Sequence, residues 1–224
     1  MEEALQEQIE YYRQRADEYD AWWLRQGAYQ LPPDLHDQWV ADVAEAQAAL
    51  AAFAPHGAVL ELACGTGLWT EQLARYATQI TAVDASPEMI ELNRARLSGI
   101  SVRYIVADLF RWEPPAGAFD ALVFTYWLSH VPDERLAPFW DLVRGALAPE
   151  GRVFLVDSAP VPGAVVSSGS RPERRALSDG REFEVVKRYW TPAELNDELA
   201  RLGWRCRARR TASGMILYAD ALPV

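Results

Sequence analysis

The stretch Val59-Leu60-Glu61-Leu62-Ala63-Cys64-Gly65-Thr66-Gly67 constrains this chain more than any other. Ala58 to Leu62 is a short apolar run that reads as a buried strand. It breaks at Gly65-Thr66-Gly67 and passes into a helical pattern at Leu68-Trp69-Thr70. A buried strand feeding a glycine turn and then a helix is half of a nucleotide-binding βαβ unit. Residues without a Cβ let backbone N–H groups approach a ligand closely. A dinucleotide fingerprint needs a third glycine where this chain has Thr70, just after bulky Trp69, so the turn is a poor cradle for a pyrophosphate. The next apolar run, Ile80 to Val83, ends in Asp84, whose carboxylate can accept both hydroxyls of a ribose. A ligand with a ribose and no phosphates satisfies both observations.

The segments E-L-A-C-G-T-G (61–67), V-D-A-S-P-E-M (83–89) and A-D-L (107–109) follow one another at the usual spacings of a known site. Together they resemble the S-adenosylmethionine site of class I methyltransferases, small-molecule subgroup, over residues 57–157. The resemblance implies S-adenosylmethionine as cofactor and S-adenosylhomocysteine as product. It places Ala63, Gly65 and Gly67 in the cofactor turn and Asp84 on the ribose, with Ala85 and Met89 beside it. Ala107, Asp108 and Leu109 would hold the adenine, Asp108 taking its amino group, and Thr125 would complete the cofactor wall. Glu61 lies inside the first strand, where an inward carboxylate is costly unless paired; it is expected to bond the loop backbone or the ligand's ammonium.

Candidate chemistry comes from His130 and Asp157, at the ends of the fourth and fifth strands. In some related sugar and natural-product methyltransferases a histidine and an aspartate at similar positions help to deprotonate the acceptor. Tyr126 and Trp127 are expected to line the acceptor pocket, since aromatic faces hold a methyl sulfonium or a planar molecule.

Upstream, Leu5, Ile9, Tyr12, Ala16, Tyr19 and Trp23 recur at steps of four and three, one face of a helix ending near Gly27. A second stripe, Tyr11, Arg15, Glu18 and Trp22, runs beside it. The segment Y-Y-R-Q-R-A-D-E-Y-D-A-W-W resembles the N-terminal cap of small-molecule methyltransferases. The helix reads either as a packing helix or as a lid, with Tyr11 and Tyr19 on the cofactor and Trp22 and Trp23 on the acceptor, and the resemblance lets both hold for different faces. Asp34 is a plausible N-cap for a second helix, with Leu35, Trp39, Val43, Ala46, Leu50 and Phe53 on one side.

Downstream, strands are expected at Val102–Val106, Asp120–Phe124 and Arg152–Val156, and Ser86-Pro87-Glu88 opens a helix. Residues 159–172, rich in Pro, Gly and Ser, read as a loop. Arg174–Leu177 and Arg181–Lys187 flank Asp179-Gly180, a strong hairpin signal. That hairpin could cover the site or pair with another subunit. Thr191 and Glu194 form a capping box before a helix, and strands at about 204–210 and 215–220 close the chain.

The expectation is an α/β fold with a seven-stranded, mostly parallel, doubly wound sheet, order 3-2-1-4-5-7-6, last strand antiparallel. One domain spans 1–224: a helical cap (1–54), a cofactor-binding core (55–158), a loop and β-hairpin insertion after strand five (159–190), and a C-terminal helix and strand pair (191–224). A net charge of −10 argues against a nucleic-acid partner. Two cysteines, Cys64 and Cys206, at no metal-ligand spacing suggest a reducing compartment and no metal. The N-terminus does not resemble a secretion signal. No apolar run approaches the roughly 18 residues of a membrane helix. A cytoplasmic monomer or homodimer acting on a small molecule, with methyl transfer to O or N, is expected. A non-catalytic cofactor-binding or partner-binding protein and a nicotinamide-dependent oxidoreductase are the alternatives.

Overall fold

The structure, a computed structural model, describes residues 2–160 and 169–224; most of the expected loop at 159–172 lies outside them. Nine strands are described: β1 (Ala58–Leu62), β2 (Gln79–Asp84), β3 (Val102–Val106), β4 (Phe119–Thr125), β5 (Leu147–Ser158), β6 (Arg171–Ala176), β7 (Glu182–Lys187), β8 (Trp204–Arg210) and β9 (Ile216–Pro223). Seven of them form one sheet in the order β3-β2-β1-β4-β5-β9-β8, while β6 and β7 form a separate hairpin. Neighbours from β3 to β5 pair in parallel, and β9 alone runs antiparallel to its neighbours β5 and β8. This is the expected topology, with the hairpin inserted after β5.

Seven α-helices are described: α1 (Glu2–Gln14), α2 (Ala16–Trp23), α3 (Pro33–Phe53), α4 (Thr70–Leu73), α5 (Pro87–Arg96), α6 (Asp133–Ala146) and α7 (Pro192–Arg201). Strand side chains alternate between two faces, as the pleat requires. Leu60, Leu62, Leu122, Phe124, Val153 and Leu155 pack with Trp140 of α6 and Leu199 of α7. Val59, Ala121, Val123, Phe154 and Val156 pack with Leu50 and Phe53 of α3 and Ile90 of α5. The central strands therefore read as continuous apolar runs because both faces are covered.

Several boundaries differ from expectation. The single N-terminal helix breaks at Arg15 and ends at Trp23, four residues short of Gly27. At the break the Arg15 guanidinium turns inward, within 5.2–5.9 Å of the rings of Tyr11, Tyr19, Trp22 and Tyr29. The second helix is not capped by Asp34: Pro32 is the N-cap and Pro33 opens the helix, because proline's fixed φ and missing N–H suit the first position. In the hairpin, Gly180 at φ 87° adds a bulged residue, with Gly180 N–H donating to Leu177 O at 3.0 Å. The loop is thus longer than two residues. The caps at Ser86 and Thr191 form as expected.

Candidate active site

A cavity opens at the carboxyl ends of β1 and β4, where the strand order reverses, the usual ligand crevice of open α/β sheets. Each strand end turns on a left-handed residue, Ala63 at φ 52° and Tyr126 at φ 55°. For an aromatic residue that conformation costs on the order of 1–3 kcal/mol. Packing holds it: the Trp23 and Trp22 rings meet the Tyr126 ring edge-on at 5.0 and 6.0 Å.

The two glycines of the turn do different work. A Cβ on Gly65 would meet nothing within 4 Å, and Gly65 lines the cavity. A Cβ on Gly67 would lie 2.7 Å from Asn93 of α5. Gly67, expected at the cofactor, packs closely on Asn93 and does not line the cavity. Asn93 then donates to Thr70 Oγ1 at 2.8 Å and to Gly65 O at 3.3 Å, bracing the turn from behind.

Asp84 lines the cavity with its carboxylate held by two backbone donors, Gly65 N–H to Oδ2 and Ser86 N–H to Oδ1, each at 2.9 Å. Burial raises its pKa above the ordinary aspartate value, and these donors oppose the rise. Asp108 also lines the cavity and accepts from Phe110 N–H at 2.9 Å. Glu61 is buried, and neither carboxylate oxygen has a hydrogen-bond partner among the described residues. Burial pushes its pKa up to about 8; Thr70 offsets part of this without reaching hydrogen-bonding geometry.

His130 reaches the cavity from the 3₁₀ turn Leu128–His130 after β4. Its Nδ1 lies 2.7 Å from Val186 O of the hairpin and its Nε2 2.9 Å from the Tyr12 hydroxyl of α1. Burial first, and then the nearby Lys187, pull its pKa well below the ordinary histidine value. Asp157, expected beside it as a catalytic group, is not in the cavity. Its carboxylate accepts from Ser129 N–H at 2.8 Å and Ser158 N–H at 2.7 Å, and lies 3.9 Å from Lys187 Nζ. It fastens the histidine turn and β7 to the sheet.

Of the expected residues, Tyr19, Ala63, Gly65, Asp84, Ala85, Met89, Asp108, Leu109, Thr125, Tyr126, Trp127 and His130 line one cavity. Tyr11 does not: its ring packs on Phe183 at 5.7 Å, within a cluster holding Leu177 and Val185 of the hairpin. Ala107 packs against the core below. Trp22 and Trp23 stand behind Tyr126, and Trp23 walls a small recess beside the glycine turn. Leu5, Gln8, Ile9, Tyr12, Ser86 and Phe110 also line the cavity and were not singled out. Leu5, Ile9 and Tyr12 share the first helical stripe, which was the available signal; Gln8 carried none.

The helical cap is fastened on two sides. Arg13 forks onto Glu88 of α5 at 2.9 and 3.2 Å. Asp20 pairs with Arg96 and accepts from the Thr66 hydroxyl at 2.6 Å. Towards the hairpin, Glu18 accepts from Ser178 and Glu7 from Glu184 N–H at 2.8 Å. The open face of Gly65 and the pre-aimed Asp84 fit a ligand carrying a ribose; Glu61, expected at the cofactor, does not line the cavity and is a buried carboxylate without a hydrogen-bond partner among the described residues.

A nucleoside-type cavity at the switch point of this sheet defines a class of proteins, and comparison with known proteins agrees with it. The chain belongs to the class I S-adenosylmethionine-dependent methyltransferases, enzymes that move a methyl group from that cofactor to an acceptor. Residues 59–151 match the family model described as a methyltransferase domain. The chain is 33% identical over 192 residues to the ubiquinone biosynthesis O-methyltransferase of Xanthomonas axonopodis pv. citri (strain 306), covering 74% of this chain and 77% of that one. The enzyme of the same name from Xylella fastidiosa (strain M23) is 33% identical over 180 residues, 71% of each. Among solved structures, a DhpI–SAH complex superposes with a TM-score of 0.79 at 38% identity, covering 98% of this chain and 97% of that one. A DhpI–SAM–HEP complex matches with the same score and identity, covering 98% of each. The nicotinamide and non-catalytic alternatives fall with this assignment.

Proposed function

We propose that this enzyme methylates a hydroxyl oxygen on a small, largely apolar or aromatic molecule bound in the cavity beneath α1. The observation that carries the reading is the hydrogen-bonded pair of Tyr12 and His130, 2.9 Å apart on the wall of a cavity that Ile9, Phe110 and Trp127 also line, with burial holding the histidine pKa well below its ordinary value. A general base is useful where the acceptor keeps its proton at neutral pH, typically contributing 10²–10⁴-fold. The printed names of the Xanthomonas and Xylella relatives, both O-methyltransferases, support oxygen over nitrogen. When bound, the cofactor supplies an activated methyl group on sulfur; the protein's task is positioning, worth about 7–11 kcal/mol in the best cases. Asp84 would hold the ribose, and Asp108 and Leu109 the adenine. Two unbridged cysteines support a reducing compartment such as the cytoplasm.

Asp84→Ala is expected to weaken S-adenosylhomocysteine binding by about 1–3 kcal/mol, the cost of removing a charge-assisted partner from a buried site. Titration calorimetry checks this, and an unchanged affinity would remove Asp84 from the ribose. The function itself is tested by S-adenosylhomocysteine release from the purified chain supplied with phenols, alcohols and amines. Turnover with hydroxyl acceptors is expected; turnover with amines alone would overturn the reading.

A further inference from the structure

On the reading that a hydroxyl acceptor occupies this cavity, the hydrogen bonds around His130 acquire a direction. The Val186 carbonyl can only accept, so its 2.7 Å contact with Nδ1 places a proton on that nitrogen. Burial of the ring first, and then the cations Lys187, Arg175 and Arg15, pull its pKa well below the ordinary histidine value, which favours the uncharged form. Nε2 is therefore bare, and the Tyr12 hydroxyl at 2.9 Å donates to it. A phenol has one proton. With that proton committed to Nε2, the Tyr12 oxygen offers only lone pairs to the cavity that Tyr12 and His130 both line.

The chain is anchored at both ends. Gln8 Oε1 accepts from Val186 N–H at 3.0 Å, and its Nε2 donates to His130 O at 3.4 Å. One side chain of α1 thus spans the histidine turn and the hairpin strand, one helical turn before Tyr12. Aligned donors in such a chain polarise one another.

We propose that Tyr12 is the group that receives the acceptor's O–H, and that His130 is a positioning residue that orients Tyr12 and stores the released proton. The acceptor must then arrive as a neutral hydroxyl, because an ionised oxygen would face the Tyr12 lone pairs. As the acceptor oxygen bonds to the methyl carbon, the carbon–sulfur pair stays on sulfur. The acceptor's proton passes to Tyr12 Oη, and the Tyr12 proton passes to His130 Nε2. The site holds one positive charge before and after, so the imidazolium adds no net charge to a buried region. Its depressed basicity suffices, because a protonated ether is far more acidic than any imidazolium.

Two readouts decide this. In ¹⁵N-labelled protein the chain's three histidines, His36, His56 and His130, give separable ring signals, with His130→Gln assigning the last. With S-adenosylhomocysteine bound, the His130 ring is expected as the Nδ1–H neutral tautomer, unchanged over about pH 5.5–8. An Nε2–H tautomer or a charged ring would overturn the proposal. The second readout is turnover of Tyr12→Phe, at a matched thermal midpoint, on phenol, 4-chlorophenol and 4-nitrophenol. The kcat on phenol is expected to fall about 10²-fold with little change in KM, the loss shrinking towards the self-ionising 4-nitrophenol. An equal loss on all three, or none, would make Tyr12 a packing residue. A wild-type enzyme inactive on every phenol would sink the hydroxyl-acceptor reading instead, and the ring signal would still decide the Tyr12–His130 polarity.

Discussion

Glu61→Gln is expected to stabilise the ligand-free protein, and to do so far more at pH 9 than at pH 5. Glu61 is 1% exposed in the central strand β1, and its two carboxylate oxygens have no hydrogen-bond partner among the described residues. Burial raises its pKa from the ordinary 4.5 to about 8. The folded chain therefore keeps a proton that the unfolded chain releases. This contribution to stability is complete below about pH 4.5 and fades as pH rises through about 8. At about 1.4 kcal/mol per pH unit, the decline is on the order of 4–5 kcal/mol, a large share of a domain's stability. Glutamine has nothing to ionise and removes this part of the slope. Urea unfolding at pH 5, 7 and 9 checks it. Parallel pH dependences in wild type and variant would mean that Glu61 is paired or hydrated.

Asp157→Ala is expected to destabilise the protein by about 3–5 kcal/mol, the cost of leaving one partner of a buried ion pair alone. Both side chains are nearly inaccessible, 5% for Lys187 and 1% for Asp157, with Nζ 3.9 Å from Oδ1. Lys187 also donates to Ser129 Oγ at 2.8 Å, and Asp157 accepts from Ser129 N–H, so the loss would weaken the tie between the histidine turn and the hairpin. Substituting both, as Asp157→Ala with Lys187→Met, should recover much of the loss because no unpaired charge remains. Urea midpoints of the single and double variants measure this. A stable Asp157→Ala enzyme with abolished turnover would instead restore the catalytic role expected for Asp157.

Tyr11 and Tyr12 show where a sequence reading stops. Neighbours on a helix point about 100° apart, and both belong to apolar stripes. Which stripe meets the cavity depends on the hairpin, whose Phe183 and Val185 take Tyr11 and leave Tyr12 to His130. Trp22 and Trp23, expected at the acceptor, do not line the main cavity for the same kind of reason. Tyr126 turns left-handed at the end of β4 and places its own ring between them and the cavity. The two glycines looked equivalent because both lack a Cβ; only the approach of Asn93 separates them.

Local patterns in the sequence determined the strands, the capped helices, the glycine turn and the carboxylates Asp84 and Asp108 at strand ends, while the sheet order followed from the resemblance to the methyltransferase family. Each local pattern depends on periodicity or on turn chemistry within a few residues, which short-range sterics settle. The tertiary structure alone decided that Asp157 holds Lys187, that Glu61 is left without a partner, and that Gln8 and Tyr12 close over His130. Those pairings join residues as much as 178 positions apart. Burial and hydrogen-bond geometry set them, and neither exists until the cap and hairpin have folded onto the sheet.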